Sequence, residues 1–196
     1  MEIETERDNN MIDKKIGLDC TGCSACANIC FKNAIEMKNN IEGFWYPSVD
    51  NNKCIECSMC VKVCPILEKK ENTYLDPEVY AAWNKNESIR INSTSGGIFS
   101  ALAKKILEND GIVVGAQYNL DFSVAHIVIH DNSEISMLRQ SKYAQSNIGY
   151  IYREIKEYLL ENRVVLFCGT PCQSMGLQKY LQKEYKNLYC CDFICR

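Results

Sequence analysis

The sequence predicts two units, a small α+β module at the N-terminal end and an α/β domain with a partly parallel sheet behind it. A four-cysteine motif that occurs twice defines the first unit, and an alternation of strand and helix patterns defines the second. A charged stretch that ends in the turn signal Asp76-Pro77 separates the two units. We therefore expect the module at 14–68, a linker at 69–77 and the α/β domain at 78–196.

Composition narrows the class of protein before any motif is considered. Of the 196 residues, 46% are hydrophobic and 24% are charged, which is typical of a globular domain. The net charge of −3 favours neither nucleic acid nor an anionic membrane as a partner. No apolar run is long enough to span a bilayer, and the polar first residues lack a signal-peptide core, so we expect a cytoplasmic location. Because thiols stay reduced there, the 13 cysteines indicate metal or redox chemistry rather than disulfides.

Eight of the 13 cysteines form two copies of the pattern C-x2-C-x2-C-x3-C. Three cysteines at two-residue intervals can surround three irons of a [4Fe–4S] cluster, and in two-cluster ferredoxins the last cysteine of each run binds the other cluster. The predicted ligands of one cluster are therefore Cys20, Cys23, Cys26 and Cys64. Those of the second cluster are Cys54, Cys57, Cys60 and Cys30.

Structural zinc is the alternative to these clusters, because paired cysteines often bind zinc. The doubled triple-cysteine spacing fits zinc less well than it fits [4Fe–4S] clusters. Phe31 follows the first run where Pro65 follows the second, and we expect the cluster to tolerate this difference since proline supplies no ligand. Apolar side chains near the runs are expected to shield the clusters from water: Ile29, Ile35, Val61, Val63 and Ile66.

Hydrophobic patterns give the remaining elements in chain order. Within the module, 43–49 reads as a strand followed by a turn at 50–52. In the α/β domain, short apolar runs predict strands at 79–83, 111–116, 124–129, 164–168 and 188–194. A helical period predicts helices at 97–108, 150–160 and 173–183, the first with one apolar face formed by Ile98, Leu102, Ile106 and Phe99. In the last two strands, Cys168, Cys190 and Cys191 are expected to pack as small buried side chains.

Three loops of the α/β domain combine polar and small residues. The loop 92–97 opens a helix whose free N–H groups can bind a phosphate, although a capped helix start without a ligand has the same sequence features. The loop 140–146 offers a lysine, a tyrosine and amides, or is an ordinary surface turn. The loop 169–173 follows a buried strand, at the sheet edge where α/β domains bind ligands. It carries Cys172 at a helix start, where the helix dipole favours the thiolate.

These loops, in this order and behind a two-cluster module, resemble the beta-subunit family of coenzyme F420-reducing hydrogenases and dehydrogenases. The stretches that carry the resemblance are 93–99, 141–146 and 169–173. The N-terminal module resembles a bacterial-type ferredoxin with two [4Fe–4S] clusters. The expected fold class is accordingly an α+β ferredoxin-like two-cluster module followed by an α/β flavin-type domain. The second domain is expected to be incomplete, because chains that it resembles continue well past Arg196.

The resemblance also implies further cofactors. It implies FAD in the α/β domain, with contacts from Ser95, Gly96, Gly97, Lys142 and Tyr143. It implies a third [4Fe–4S] cluster in longer members, to which Cys172 and Cys195 would contribute, whereas the later cysteine pair of that site is absent here. We expect these two cysteines either to be ligands without their partners or to bind nothing.

The function implied is that of an iron–sulfur flavoprotein oxidoreductase, for which the sequence identifies no catalytic residue. Electrons would pass from a ferredoxin-type donor, or a hydrogenase or dehydrogenase subunit, through two [4Fe–4S] clusters to a flavin. The flavin would then reduce a small organic acceptor, F420 or another molecule. The alternative is a ferredoxin-like electron carrier without a flavin or a substrate site of its own. A scaffold whose clusters only hold the fold is a third hypothesis.

Overall fold

The computed structural model of the protein describes residues 11–68 and 77–194. Cys195 and all of the predicted linker except Pro77 lie outside the described residues. The first stretch contains helix α1 (Ile12–Ile16), helix α2 (Ala25–Ile29), strand β1 (Ile35–Asn39), strand β2 (Trp45–Val49) and helix α3 (Met59–Lys62). The second stretch contains α4 (Glu87–Ile91), α5 (Ile98–Leu107), β3 (Ile112–Tyr118), β4 (Val124–Ile129), α6 (Ile135–Leu138), α7 (Ile151–Leu160), β5 (Val165–Gly169), α8 (Pro171–Leu181) and β6 (Leu188–Asp192).

The N-terminal module is built from a hairpin and three short helices. Strands β1 and β2 pair antiparallel, with Ile35 opposite Val49. The sequence predicted β2 and the turn after it but not β1. Apolar side chains of the hairpin and the helices form one cluster with two of the cysteines: Ile12, Ile16, Ile35, Val61, Cys26 and Cys64. Two of the residues expected to shield the clusters, Ile35 and Val61, therefore lie in the core of the module.

The α/β domain is a four-stranded sheet with helices on both faces. The strand order is β4-β3-β5-β6, in which β3 and β4 are antiparallel while β3, β5 and β6 run parallel. Strand β3 is buried on both faces, since Val114 packs with α7 and α8 whereas Val113 packs with α5 and α6. This confirms the predicted partly parallel sheet. Among the described residues, no helix combines the length and apolarity needed to cross a bilayer.

One feature of the predicted pattern is wrong, and another is only partly right. The residues 79–83 do not form a strand; they are irregular and exposed, and a hydrogen bond from the Asn84 N–H to the Gly96 carbonyl (2.7 Å) joins the chain after them to the loop 92–97. Helix α5 buries Ser100, Ala103 and Leu107. Of the predicted apolar face, Phe99 and Ile106 pack against this core, whereas Ile98 and Leu102 are exposed. Apolar residues lie on several sides of this helix, so its period alone did not identify the buried side. Small residues at 100 and 103 let the helix lie close to the sheet.

The two units share one hydrophobic core. Cys23, Ala25 and Val63 of the module belong to the same buried cluster as Tyr152 of α7 and Leu177 of α8. Helix α2 therefore packs directly against α7 and α8, and the cysteine runs are positioned by both units.

Candidate metal centres

Two cavities in the module are each lined by four cysteines. Both also have apolar walls, to which Ile12 contributes in each case. The inner cavity, of about 320 Å³, is lined by Cys20, Cys23, Cys26 and Cys64. The outer cavity, of about 470 Å³, is lined by Cys30, Cys54, Cys57 and Cys60. The last cysteine of each run thus lines the cavity of the other run, and the structure brings together both predicted ligand sets.

The two cysteine runs have the same local conformation. Gly22 and Ser24 in the first run have positive φ (68° and 61°), and so do Glu56 and Ser58 at the equivalent positions of the second run (both 56°). Each serine stands immediately before a short helix, α2 or α3. The left-handed residues turn the backbone around the cavity, so that successive cysteines face its interior.

Backbone amides point at several of the sulfur atoms. The Gly22 N–H donates to Cys20 Sγ (3.4 Å), the Ala34 N–H donates to Cys30 Sγ (3.3 Å) and the Glu56 N–H donates to Cys54 Sγ (3.4 Å). Such hydrogen bonds stabilise negative charge on a thiolate and contribute to the reduction potential of an iron–sulfur site. The amides therefore fit cavities that hold a [4Fe–4S] cluster on four thiolates.

Three cysteines that line the inner cavity, Cys20, Cys23 and Cys26, are weaker acids than a free cysteine, because burial raises the pKa of each thiol. Burial raises the pKa of Cys23 to about 12, and it also raises the pKa of Cys26 well above its usual value. The charge of neighbouring thiolates acts in the same direction. These side chains keep their protons until a metal replaces them, as is usual for ligands that bind metal in an apolar site.

A single metal ion fits these cavities less well than a cube. Among the residues that the structure describes, no group of three or more His, Cys, Asp or Glu side chains is arranged to hold one ion. Zinc would require all its sulfur ligands at about 2.3 Å from one point, whereas a [4Fe–4S] cube takes each thiolate on a different iron. The doubled triple-cysteine spacing, with four cysteines on each cavity, therefore favours clusters.

The two cavities differ in their exposure to solvent. Cys23, Cys26 and Cys64 of the inner cavity are buried, whereas Cys57 of the outer cavity is exposed. Beside the outer cavity, Phe31 is 64% exposed and belongs to its lining. The outer cavity thus has an exposed rim, whereas Cys23 of the inner cavity packs against the α/β domain.

Helices α7 and α8 contact Cys23, one of the residues that line the inner cavity. The Tyr152 hydroxyl lies 2.8 Å from the carbonyl oxygens of both Cys23 and Gln173. A Cβ atom on Gly176 would lie 3.1 Å from Cys23 Sγ, so the absence of a side chain lets α8 approach the cysteine run. Cys172, at the start of α8, lies near enough for its charge to raise the pKa of Cys20 and Cys23. Tyr152 and Gly176 were not predicted as site residues, because nothing in the helical pattern distinguishes them from other helix residues.

Replacing Gly176 by alanine is expected to destabilise the protein, although alanine is normally the better helix former by about 1 kcal/mol. The added methyl would be forced against the Cys23 Sγ and carbonyl oxygen, and overpacking of this kind costs about 1–3 kcal/mol. Thermal unfolding and iron content measure the effect, with Met175→Ala in the exposed neighbouring position as the control. A Gly176→Ala protein that is more stable and fully loaded with iron would contradict this packing.

Gln145, in the loop before α7, and Arg153 of α7 hold the module in place. Gln145 Oε1 accepts from the Trp45 N–H (3.0 Å), and its Nε2 donates to the Thr21 carbonyl (3.1 Å). Arg153 of α7 reaches the carboxyl end of α2. There its guanidinium donates to three carbonyl oxygens and one side-chain oxygen, those of Ala27 (3.1 Å), Asn28 (2.8 Å), Cys30 (3.0 Å) and Asn33 Oδ1 (2.9 Å). Arg153 thereby joins the backbone between Cys26 of the inner cavity and Cys30 of the outer cavity to the α/β domain.

The residues expected to contact FAD lie in two loops that touch each other. The Ser141 N–H donates to Thr94 Oγ1 (3.1 Å), which places Ser95, Gly96 and Gly97 near Lys142 and Tyr143.

Several of these residues already have partners within the chain. A Cβ on Gly96 would lie 2.7 Å from the Ala82 carbonyl oxygen, and Lys142 Nζ donates to the carbonyls of Arg139 (2.5 Å) and Gln140 (3.2 Å). Burial lowers the pKa of Lys142. Tyr143 is 90% exposed. Packing within the chain accounts for Gly96, so its presence does not by itself require a ligand.

A buried hydrogen-bond network crosses the sheet behind Cys172. His126 Nε2 donates to the Cys168 carbonyl (3.2 Å), and His126 Nδ1 accepts from the Ser146 hydroxyl (2.9 Å), which accepts in turn from Gln173 Nε2 (2.9 Å). These partners require neutral His126 with its proton on Nε2. Burial lowers the pKa of His126 to about 4, although the hydrogen bond to Cys168 opposes this effect.

Stability is expected to fall on acidification below about pH 6.5 because of His126. The unfolded chain binds a proton at about that pH, whereas the folded chain does not until about pH 4, so stability rises with pH between these values. From pH 7 to pH 5 the free energy of unfolding should fall by about 2 kcal/mol more in the wild-type protein than in His126→Gln. Urea unfolding at both pH values tests this. His130→Gln, at an exposed position, is the control. If the wild-type protein and both variants lost the same free energy of unfolding between pH 7 and pH 5, the effect of His126 would be excluded.

The cysteines of the last two strands are less buried than the sequence suggested. Cys190 is exposed, and Cys168 and Cys191 are only half-buried. Strand β6 pairs only with β5 among the described strands, so its side chains are covered less completely than those of β3. The prediction that all three pack as buried hydrophobes is therefore wrong.

Comparison with known proteins adds to this geometry. Residues 19–66 match the family model of the 4Fe-4S dicluster domain, and residues 79–151 match that of the coenzyme F420 hydrogenase/dehydrogenase beta subunit, N-terminal part. Over 178 residues the chain is 28% identical to the coenzyme F420-dependent sulfite reductase of Methanocaldococcus jannaschii, a match that covers 87% of this chain and 26% of that protein.

Two further relatives match shorter stretches. One is an uncharacterized protein in the rpl9-rpl11 intergenic region of Porphyra purpurea, 42% identical over 59 residues, with 26% of this chain and 77% of that protein covered. The other is a polyferredoxin-like protein of M. jannaschii, 34% identical over 55 residues, with 24% of this chain and 33% of that protein covered.

The chain spans only 26% of the length of the sulfite reductase that it matches.

Proposed function

Since the chain belongs to the coenzyme F420 hydrogenase/dehydrogenase beta-subunit family and carries a 4Fe-4S dicluster domain, we propose that it moves electrons between a redox partner protein and a flavin through two [4Fe–4S] clusters. It is an iron–sulfur electron-transfer protein related to F420-dependent enzymes. The observation that carries the proposal is the exchange of the fourth cysteine between two cavities, which is the ligand pattern of a two-cluster ferredoxin.

The chain itself contributes the ligands and their surroundings. We assign Cys20, Cys23, Cys26 and Cys64 to a cluster in the inner cavity, and Cys54, Cys57, Cys60 and Cys30 to a cluster in the outer cavity. When bound, such clusters supply one-electron transfer. The apolar walls exclude water, and the amides of Gly22, Ala34 and Glu56 hold negative charge on the ligand sulfurs.

Because the two cavities differ in solvent exposure, we propose different roles for them in electron transfer. We place the contact with the partner protein at the outer cavity, because Cys57 and Phe31 reach the surface there. The inner cavity lies against α8, next to Cys172 at the carboxyl edge of the sheet. Electrons would enter at the outer cavity and leave toward this edge, where α/β domains bind their ligands.

The proposal extends to the flavin and to the molecule that the flavin reduces. We propose FAD, held by the touching loops that contain Ser95, Gly96, Gly97, Lys142 and Tyr143. The name of the M. jannaschii relative supports F420 as the partner molecule of the flavin. We also propose that Cys172 and Cys195 contribute ligands to a third [4Fe–4S] cluster. The cysteine content fits a reducing compartment, so we propose a cytoplasmic location.

An electron carrier without flavin is the second candidate function. It is favoured by the contacts of Gly96 with Ala82, and of Lys142 with nearby carbonyls, which satisfy these residues within the chain. In that case the chain would pass electrons between two proteins and would need no site for a small molecule.

Metal and flavin analysis after anaerobic purification separates the candidates. Two clusters predict about eight irons and eight acid-labile sulfides per chain. About one flavin per chain supports the oxidoreductase, whereas iron without flavin, even after addition of FAD, supports the carrier. Zinc without iron would overturn both.

A further inference from the structure

Cys168 and Cys191 stand directly opposite each other on the neighbouring parallel strands β5 and β6. Residues paired in this way point to the same face of a sheet, and neighbouring strands lie about 4.8 Å apart. A disulfide needs a Cα separation of about 4.4–6.8 Å, so the pairing itself provides the required spacing. The two thiols are close enough for each to shift the pKa of the other.

Of the described residues in this region, the two other cysteines, Cys172 and Cys190, have no cysteine opposite them in the ladder. Cys190 lies opposite Phe167 in the same ladder, and the alternation of side chains along β6 directs it to the other face. Cys172 contacts the Thr170 hydroxyl (3.0 Å) and lies toward the inner cavity. Neither Cys168 nor Cys191 lines a metal cavity.

We propose that Cys168 and Cys191 form a redox-active dithiol that exchanges with a low-molecular-weight disulfide. This pair would be a two-electron site separate from the one-electron sites of the module. The proposal does not depend on the clusters or on the flavin.

The reaction is an ordinary thiol–disulfide exchange in two steps. The Cys191 thiolate attacks one sulfur of the small disulfide, which forms a mixed disulfide and releases one small thiolate. Cys168 loses its proton to water and attacks Cys191 Sγ, which closes the protein disulfide and releases the second small thiol. Two protein thiols are oxidised and one small disulfide is reduced, so no other oxidant is needed.

The surroundings favour Cys191 as the attacking group. The interaction with the Cys168 thiol lowers the pKa of Cys191 to about 7, while the same interaction and burial raise the pKa of Cys168. A thiol with a pKa near the ambient pH is the most effective in exchange. Cys191 is also half-buried on β6, which has only one strand neighbour in the described part of the chain.

Peptide mapping of the iron-loaded protein tests the proposal. The protein is equilibrated anaerobically with mixtures of reduced and oxidised glutathione, quenched with an alkylating reagent, digested and examined by mass spectrometry. We expect the peptide with Cys168 to become cross-linked to the peptide with Cys191, reversibly, as the share of oxidised glutathione rises. Cys168→Ser should instead accumulate glutathione on Cys191.

Matched variants identify the sulfur atoms, since both peptides contain other cysteines. Cys190→Ser should keep the cross-link, whereas Cys191→Ser should lose it, and iron content should stay unchanged in both. The proposal is overturned if Cys168 and Cys191 are alkylated independently at every glutathione ratio, or if the cross-link persists in Cys191→Ser. The wild-type map alone decides the first point, even if a variant folds poorly.

Discussion

Replacing Cys23 by serine is expected to lower bound iron from about eight to about four atoms per chain. Cys23 is buried in the inner cavity, so no solvent ligand can easily take its place, and the outer cavity keeps all four of its cysteines. Iron and sulfide analysis measures the loss, and electron paramagnetic resonance of the reduced protein shows which cluster signal disappears. Cys190→Ser, which removes an exposed strand cysteine, is the control and should keep all the iron.

The exchange of ligands between the runs makes this prediction sharper. Cys64 belongs to the second run but lines the inner cavity, so Cys64→Ser should remove the same signal as Cys23→Ser. Cys30 belongs to the first run but lines the outer cavity, so Cys30→Ser should remove the other signal. If Cys64→Ser and Cys60→Ser removed the same signal instead, the assignment of the fourth ligands would be wrong. Unchanged iron in Cys23→Ser would contradict the inner site altogether.

Replacing Arg153 by methionine should lower the free energy of unfolding by about 3 kcal/mol. The change removes hydrogen bonds from a charged donor, each worth about 1.5–3 kcal/mol but not additive, and leaves the last carbonyls of α2 without their partner. It also removes a cation from the negative end of α2. Because the Cys30 carbonyl is among the acceptors, occupancy of the outer cavity should fall as well.

Urea unfolding and iron analysis under anaerobic conditions measure both effects. Arg163→Met is a suitable control, since Arg163 binds Asp110, which is exposed, and makes its hydrogen bonds within the α/β domain. We expect that control to cost less than about 1 kcal/mol and to leave the iron unchanged. Arg153→Lys should restore little stability, because an ammonium group cannot reach several carbonyls in the fork geometry of a guanidinium. If Arg153→Met lowered the free energy of unfolding no more than Arg163→Met does, the stabilising role of Arg153 between the two units would be excluded.

The cysteine spacing predicted more of the site than any other feature of the sequence. Ligand spacing is a local property, and the backbone reverses in the same way at Gly22 and Glu56, so both runs turn around their cavities as expected. The crossing of Cys30 and Cys64 into opposite cavities also followed from the motif. The sheet order was not predicted strand by strand, but the alternation of patterns gave its partly parallel character.

Contacts between the two units were beyond the sequence patterns. Gln145 lies in a loop that was singled out for a different role, yet it binds the module through Thr21 and Trp45. Arg153 reads as one charged residue on an amphipathic helix, and only the packing of α2 against α7 reveals its acceptors. The pattern at 79–83 is apolar like a strand, but no neighbouring strand is available to it in the described chain. Such features depend on long-range contacts, which periodicity does not encode.

The common core of the two units has a consequence for folding cooperativity. Cys23, Ala25 and Val63 are buried among side chains of α7 and α8, so separating the units would expose this core to water. The module is thus expected to unfold together with the α/β domain, as one cooperative unit, and not as an independent domain. Metal binding in the inner cavity and folding of the sheet are thermodynamically linked, because a ligand that binds only the native state stabilises every element that unfolds with it. Loss of iron is therefore expected to expose the sheet as well as the module to proteolysis.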